Sequence, residues 1–373
     1  MALRSGGARS IQLSYGRSPT SLSSRLMDLS VAFLGTGGAV PSARRNTAGV
    51  LVARGGERLL FDCGEGTQRQ MQRSLGLVQV DSIFFTHFHA DHFLGLPGLL
   101  KTYDLTERGR PLTIYGPRGL RELIQSLGRV IGRVRYKVEL VEIEPGDAIA
   151  CGGAEVRPFP VEHGVRAYGY ALVEAERPGR FDPEAARRLG VKEGPDFATL
   201  QRGEPVQGVL GKVDPGDVMG EARPGRTLVI TGDTAPCHAT VDAARGAELL
   251  VHDASFAEEE AQRAVDTGHS TVGQAAAVAR EAEVKLLALV HISSRYHVGK
   301  VLEEAKEVFE PAVAPRDFDV IDLPFPERGE PKLIQNGSRD RARESSQSDS
   351  SESTSVEETG EGGVGVPPPG TAE

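Results

Sequence analysis

The segment Thr86-His87-Phe88-His89-Ala90-Asp91-His92 places three imidazoles and a carboxylate within six positions, in a chain of 373 residues that holds nine histidines. Neutral imidazole is the commonest zinc ligand, and a carboxylate oxygen can share the load. The cluster therefore points to metal-assisted chemistry. His87 and His89 lie two apart in an extended segment and face the same side. Asp91 and His92 come one turn later and point elsewhere. That split suits two adjacent metal ions better than one.

The elements that must hold this cluster are legible on either side of it. Asp81-Ser82-Ile83-Phe84-Phe85 is an apolar run of strand length, and Phe93 to Tyr103 is apolar enough for a helix against a core. The cluster thus sits on a strand-to-helix turn at the carboxyl end of a strand, where α/β proteins usually place chemistry. One turn offers too few donors for two ions, so others must come from distant segments. His163 follows the alternating run Val156 to Val161, Asp233 follows Thr227 to Gly232, and His291 follows Lys285 to Val290. Each is a polar group at the end of an apolar run. His269 stands outside this set, just before a predicted helix from Thr271 to Ala282.

The pattern H-x-H-x-D-H behind an apolar strand resembles the metallo-β-lactamase superfamily of hydrolases. That resemblance implies an α/β fold, an αββα sandwich with metals at one edge between two sheets. It implies two Zn(2+) per chain. His87, His89 and His163 would bind one ion, Asp91, His92 and His291 the other, and Asp233 would bridge both. Shorter segments narrow the family: Phe33 to Pro41, Pro41 to Thr47, Phe61-Asp62-Cys63-Gly64-Glu65-Gly66-Thr67-Gln68, His252 to Phe256, Gly268-His269-Ser270-Thr271, and His291 to Tyr296. In this order, over roughly residues 29 to 335, they resemble the short form of the ribonuclease Z family, the tRNA 3′-processing endoribonucleases.

What the resemblance implies is zinc-dependent removal of the 3′ trailer from precursor tRNA by a homodimer. The tRNA keeps a 3′-hydroxyl and the trailer a 5′-phosphate. Asp91 is expected to orient the attacking water or accept its proton. His269 is expected to protonate the leaving 3′ oxygen, with Asp253 holding its imidazole. Arg45 and Asn46, in a loop of the family form P-x-K-x-R-N, and Arg295, just after His291, are expected to meet the substrate. The chain departs from the family pattern twice: Ala43 stands where that loop has Lys, and Asp253 where the segment H-E-A-T has Glu. A phosphodiesterase or arylsulfatase of the same fold, acting on a small substrate, would share all seven metal donors.

Between His163 and Asp233 lie about seventy residues, more than a sandwich connection needs. Tyr168 to Glu174 reads as a strand, Glu184 to Leu189 as a short helix, and glycine and proline punctuate the rest. By resemblance, about 168 to 205 is a protruding Gly/Pro-rich arm that grips tRNA away from the cleavage site. Arg177, Arg180, Arg187, Arg188 and Lys192 give it positive charge suited to phosphates, tempered by Glu174, Glu176 and Glu184. A small-substrate hydrolase would not need it.

The chain carries 43 basic and 52 acidic residues, net −9. That excludes a strongly basic RNA binder, so binding has to rest on local patches and on bound ions. Residues 28–335 are expected to form one nuclease domain. Residues 1–27, with four Arg and no acid, read as a disordered extension added by an upstream start, with a transit peptide as the competing reading. Residues 336–373, acidic and rich in Ser, Gly and Pro, read as a disordered tail. No run of eighteen apolar residues suggests a membrane span. Cys63, Cys151 and Cys237, odd in number and without C-x-x-C spacing, suit a reducing cytoplasm.

Overall fold

The computed structural model describes residues 28–336. The expected extension 1–27 and, apart from Asn336, the expected tail 336–373 lie outside the described residues. The first half of the chain supplies β1 (Leu29–Gly35), β2 (Gly49–Arg54), β3 (Glu57–Phe61), β4 (Ser82–Phe84), β5 (Leu112–Gly116) and β6 (Val138–Glu142). There follow β7 (Ile149–Cys151), β8 (Ala154–Pro160), β9 (Tyr168–Glu174), β10 (Val206–Gly208), β11 (Gly211–Val213), β12 (Thr227–Ile230), β13 (Leu249–Asp253) and β14 (Leu287–Val290). The last are β15 (Ala312–Val313), β16 (Val320–Asp322) and β17 (Lys332–Ile334). Among the described residues they build one sheet in the order β17-β16-β1-β2-β3-β4-β5-β6 and another in the order β15-β14-β13-β12-β9-β8-β7, while β10 and β11 pair by themselves.

The central strands are apolar on both faces because both faces are covered. In β1, Leu29, Val31 and Phe33 join the core between the sheets, while Ala32 and Leu34 join the core under the first helical layer. In β12, Leu228 and Ile230 point to the inter-sheet core and Val229 to the opposite layer. Helices Thr67–Ser74, Gly95–Leu105 and Leu120–Ser126 cover the first sheet, contributing Met71, Leu96, Leu99 and Leu120. Helices His238–Ala244, Val272–Glu281 and Val298–Val308 cover the second, contributing Val241, Ala275, Ala276 and Val301. The result is the expected αββα sandwich. No helix among the described residues is long and apolar enough to cross a membrane.

Strands β3 to β6 run parallel in one sheet and β12 to β15 in the other. Their carboxyl ends deliver Asp62, the His87 cluster, Asp233, Asp253 and His291. The expected helix 93–103 is two pieces, Ala90–Phe93 and Gly95–Leu105.

The expected arm boundaries need correction. Tyr168–Glu174 is β9, paired to both β8 and β12, because Tyr168, Tyr170 and Leu172 fill the inter-sheet core. The inserted lobe starts after it and runs further than residue 205. Its neck is an antiparallel pairing of Arg177 with Arg223 and of Phe181 with Met219. Inside, Ala186, Val191, Leu200, Val213 and Val218 form a small core of their own. The helix Pro183–Arg188 begins there because Asp182 Oδ1 accepts from the backbone N–H of Glu184 and Ala185, both at 2.9 Å, with proline at the first helical position.

Candidate metal centre

The two sheets bring seven His and Asp donors to one edge. His87, His89, His163 and Asp233 offer ligand atoms within 4.8 Å of one another, and so do Asp91, His92, Asp233 and His291. Asp233 belongs to both groups. Its Oδ1 lies 3.2 Å from His92 Nε2 and 3.4 Å from His291 Nε2, and its Oδ2 lies 3.7 Å from His87 Nε2. His291 Nε2 is 3.1 Å from Asp91 Oδ2. His89 is exposed and marks the solvent side, while His87 and His92 are buried.

Hydrogen bonds behind the rings fix which nitrogen faces the site. Thr86 Oγ1 donates to Asp62 Oδ2 at 2.8 Å, so its lone pair takes the Nδ1–H of His87 at 3.0 Å. Asp62 Oδ2 also accepts Nδ1–H of His92 at 2.7 Å. The carbonyl of Gly268 accepts Nδ1–H of His163 at 2.9 Å. Ser255 Oγ donates to Asp253 Oδ1 at 2.6 Å and accepts Nδ1–H of His291 at 2.8 Å. In all four rings Nε2 is turned inward, that of His291 to within 3.1 Å of Asp91 Oδ2. His89 instead turns Nδ1 inward, 3.3 Å from His163 Nε2.

These donors fit metal ions. His87 Nε2, His92 Nε2 and Asp233 Oδ1 are buried without hydrogen-bond partners, a costly arrangement unless a cation meets them. Burial, reinforced by the neighbouring His92, pushes the His87 imidazole down to about 2 and keeps it neutral. Burial opposes ionisation of Asp91, but the hydrogen bond from His291 and the charges of His92 and His291 together outweigh it and hold the carboxyl down to about 2. Burial likewise opposes the charge on Asp233, and the attraction of His291 and His92 holds it well below the usual carboxylate range. His92 is drawn upward against burial by Asp233 and Asp62. The carboxylates thus make a strongly negative spot that calls for positive charge.

Backbone strain gathers here. Among the described residues, Ala39, Asp62 and His291 have φ of 52°, 57° and 60° without being glycine, a region that L-residues seldom adopt. The Ala39 N–H donates to Asp91 Oδ2 at 3.0 Å. The loop can approach so closely because Gly38 has no side chain: a Cβ there would lie 2.5 Å from the His291 carbonyl oxygen and 2.8 Å from its Nδ1.

His269 stands beside the donors, its ring stacked on His291 at 5.2 Å between centroids. Its Nδ1 lies 2.7 Å from Asp253 Oδ2, so the shorter carboxylate at this position does reach the imidazole. Burial works against its charge, but the Asp253 hydrogen bond and the charges of Asp253 and Asp233 together outweigh it and push the pKa up to about 9.

The expected substrate contacts fare differently. Arg45 is 8 % exposed; its Nη1 donates to Thr36 Oγ1 at 2.6 Å and to the Pro315 carbonyl at 2.9 Å. It braces the loop from within instead of facing solvent. Asn46 is a brace too: its N–H donates to Asp317 Oδ2 at 2.7 Å and its Nδ2 to the Glu65 carbonyl at 2.9 Å. Arg295 is partly exposed and held by Glu260 at 3.3 Å, over the Phe256 ring that flanks His269. Arg177 is tied to Glu327 at the neck of the lobe. Arg180 and Lys192 are exposed on the lobe.

Sequence reasoning missed Asp62, Thr86, Ser255 and Asp317. Asp62 had a signal, being a carboxylate at the end of the apolar run that ends at Phe61. Its replacement supplies a test: Asp62→Asn is expected to weaken metal affinity about 10- to 100-fold, measured by competition with a chromogenic chelator. Unchanged affinity would remove Asp62 from the architecture of the site.

Comparison with known proteins identifies the family. Residues 57–182 and 202–292 match the family model of the beta-lactamase superfamily domain. Ribonuclease Z of Methanosarcina acetivorans is 48% identical over 303 residues, covering 80% of this chain and 99% of that one. Ribonuclease Z of Myxococcus xanthus is 47% identical over 302 residues, covering 80% and 98%. The crystal structure of the short form of human tRNase Z matches with a TM-score of 0.58 at 27% identity, over 79% of this chain and 99% of that chain. An insert with its own core, paired donor groups sharing one aspartate, and identity spanning whole relatives all point the same way, and the chain belongs to the ribonuclease Z family of the beta-lactamase superfamily.

Proposed function

We infer that this protein is an endoribonuclease that removes the 3′ trailer from precursor tRNA, leaving a 3′-hydroxyl on the tRNA and a 5′-phosphate on the trailer. The observation that carries the reading is the pair of donor groups sharing Asp233, with the His269–Asp253 pair stacked against them. Near-half identity to whole ribonucleases Z supports it. In this reading His87, His89 and His163 would hold one Zn(2+), Asp91, His92 and His291 would hold a second, and Asp233 would serve both. When bound, the two ions supply Lewis acidity and bring the pKa of water toward neutrality.

The protein's own groups do the rest. Asp91 is fixed through Oδ2 by the Ala39 N–H, which leaves its other oxygen to take a proton from the attacking water. His269, charged near neutral pH, offers its Nε2 proton to the leaving 3′ oxygen. Asp253 accepts from Nδ1 and so keeps the ring in that orientation. The lobe holds the body of the tRNA away from the cut, with Arg180 and Lys192 toward its phosphates. The chain acts as a homodimer in the cytoplasm, a setting that its three unpaired cysteines suit.

The test uses zinc-loaded protein and a 3′-extended precursor tRNA labelled at its 5′ end, with His89→Ala alongside. A single cut just after the discriminator base is expected, lost in the variant and after chelation, and restored by zinc at two ions per chain. Hydrolysis of bis(p-nitrophenyl) phosphate without any cut in the precursor would overturn the tRNA assignment and favour a small-substrate hydrolase.

A further inference from the structure

The neck of the lobe is braced from outside by the connection between β16 and β17. Glu327, on that connection, accepts from Arg177 Nη1 at 2.7 Å and Nη2 at 3.0 Å, and from Arg223 Nη1 at 2.8 Å. Arg177 lies on the chain entering the lobe and Arg223 on the chain leaving it, so one carboxylate grips both sides of the neck. Two residues earlier, Phe325 has the guanidinium carbon of Arg177 at 3.6 Å from its ring centroid and that of Arg226 at 3.7 Å. Two cations so close to one centroid must take opposite faces, and each gains from the ring quadrupole.

Arg226 belongs to the sandwich. It is 1 % exposed, its Nε and Nη2 bind the two oxygens of Glu174 at 2.7 and 2.8 Å, and its Nη1 binds the Leu323 carbonyl at 2.7 Å. Phe325 therefore joins a fixed cation of the body to a cation of the neck. The neck is otherwise two strands of chain in close contact: a Cβ at Gly179 would lie 1.9 Å from the Gly220 carbonyl oxygen. A two-stranded neck fixes the lobe's root but leaves its direction free to swing. The bidentate carboxylate and the stacked ring remove that freedom.

We propose that Phe325 and Glu327 are positioning residues that set the direction of the lobe relative to the metal centre, and so decide how well a long substrate reaches both. The inference rests on the reading that the lobe holds tRNA. It assigns Arg177 to the latch and not to the substrate.

Phe325→Leu and Glu327→Gln, alone and together in the full zinc-loaded chain, test it. In the double variant the KM for precursor tRNA is expected to rise about tenfold with kcat held within about twofold. Turnover of bis(p-nitrophenyl) phosphate stays unchanged, and Phe325→Tyr keeps the wild-type KM. An unchanged precursor KM, or an equal fall on both substrates, overturns the proposal; Glu327→Gln decides alone if the Phe325 variant fails to fold. A third variant, with residues 178–222 replaced by a short Gly-Ser link, separates the two readings. If it cuts the precursor as well as wild type while the small ester is still turned over, the lobe does not hold tRNA. If it loses the precursor while the latch variants do not, only the latch is wrong.

Discussion

Asp233→Ala is expected to abolish metal retention and to lower cleavage of precursor tRNA by about three powers of ten or more, since the Lewis acidity lost is worth several kcal/mol of transition-state stabilisation. The size of the effect follows from position. Among the described residues Asp233 alone belongs to all three groups that could hold an ion, and it is the one donor common to the His87 and His92 groups. Its Oδ1 is buried without a hydrogen-bond partner, 3.2 Å from His92 Nε2 and 3.4 Å from His291 Nε2. Removing it leaves the inward nitrogens of His92 and His291 with Asp91 as their one remaining carboxylate, at 3.6 and 3.1 Å, and takes the carboxylate away from His87 altogether. Asp233→Asn is expected to do nearly as much damage. The amide keeps the shape but halves the acceptor capacity, turning an NH₂ donor toward one of the groups. Metal per chain after desalting, measured beside kcat, checks the claim. Two retained ions and a near-normal rate in Asp233→Ala would show that Asp233 is not the shared ligand.

The donor segments were legible because of how parallel buried strands read. Leu228 to Ile230 and Leu287 to Val290 have no polar side to show, so the first ionisable residue past each of them, Asp233 and His291, stands out. What the pattern could not give is which partner each strand takes. Tyr168–Glu174 reads as a strand, but nothing in its own residues places it between β8 and β12 instead of at the base of an arm.

Side-chain direction was the second loss. An arginine in a Gly-rich loop looks like a phosphate ligand. Arg45 turns inward because its acceptor, the carbonyl of Pro315, arrives from 270 residues further along the chain. Arg177 was read as one charge among five on a basic arm; its partner Glu327 lies 150 residues away. Asp62 and Ser255 were missed for a related reason. Their role is to hold the far nitrogens of His92 and His291, and that role exists only once three or more segments meet. Local pattern reports what a residue can do, while long-range contact decides whether it is free to do it.

His269→Gln gives the second large effect and the sharpest separation of roles. If His269 delivers the proton to the leaving 3′ oxygen, its loss costs about 10²- to 10⁴-fold in kcat on precursor tRNA, the usual worth of a positioned general acid. The leaving group makes the prediction specific. A ribose 3′ oxygen departs poorly as an alkoxide and needs the proton, whereas p-nitrophenolate departs without one. On bis(p-nitrophenyl) phosphate, His269→Gln is therefore expected to stay within a few-fold of wild type, with its metal content unchanged. Asp253→Asn should follow the same split more weakly, because it loosens the 2.7 Å contact that holds the Nδ1 side of the ring while leaving the imidazole in place. Asp253 also accepts from Ser255, which holds His291, so any fall in metal content must be measured and removed from its effect. The opposing result is plain. Should His269→Gln slow both substrates alike, with metal lost in proportion, the imidazole is a support for the neighbouring donors at 5.1 Å and 5.2 Å between ring centroids, His163 and His291, and the proton for the leaving oxygen comes from elsewhere.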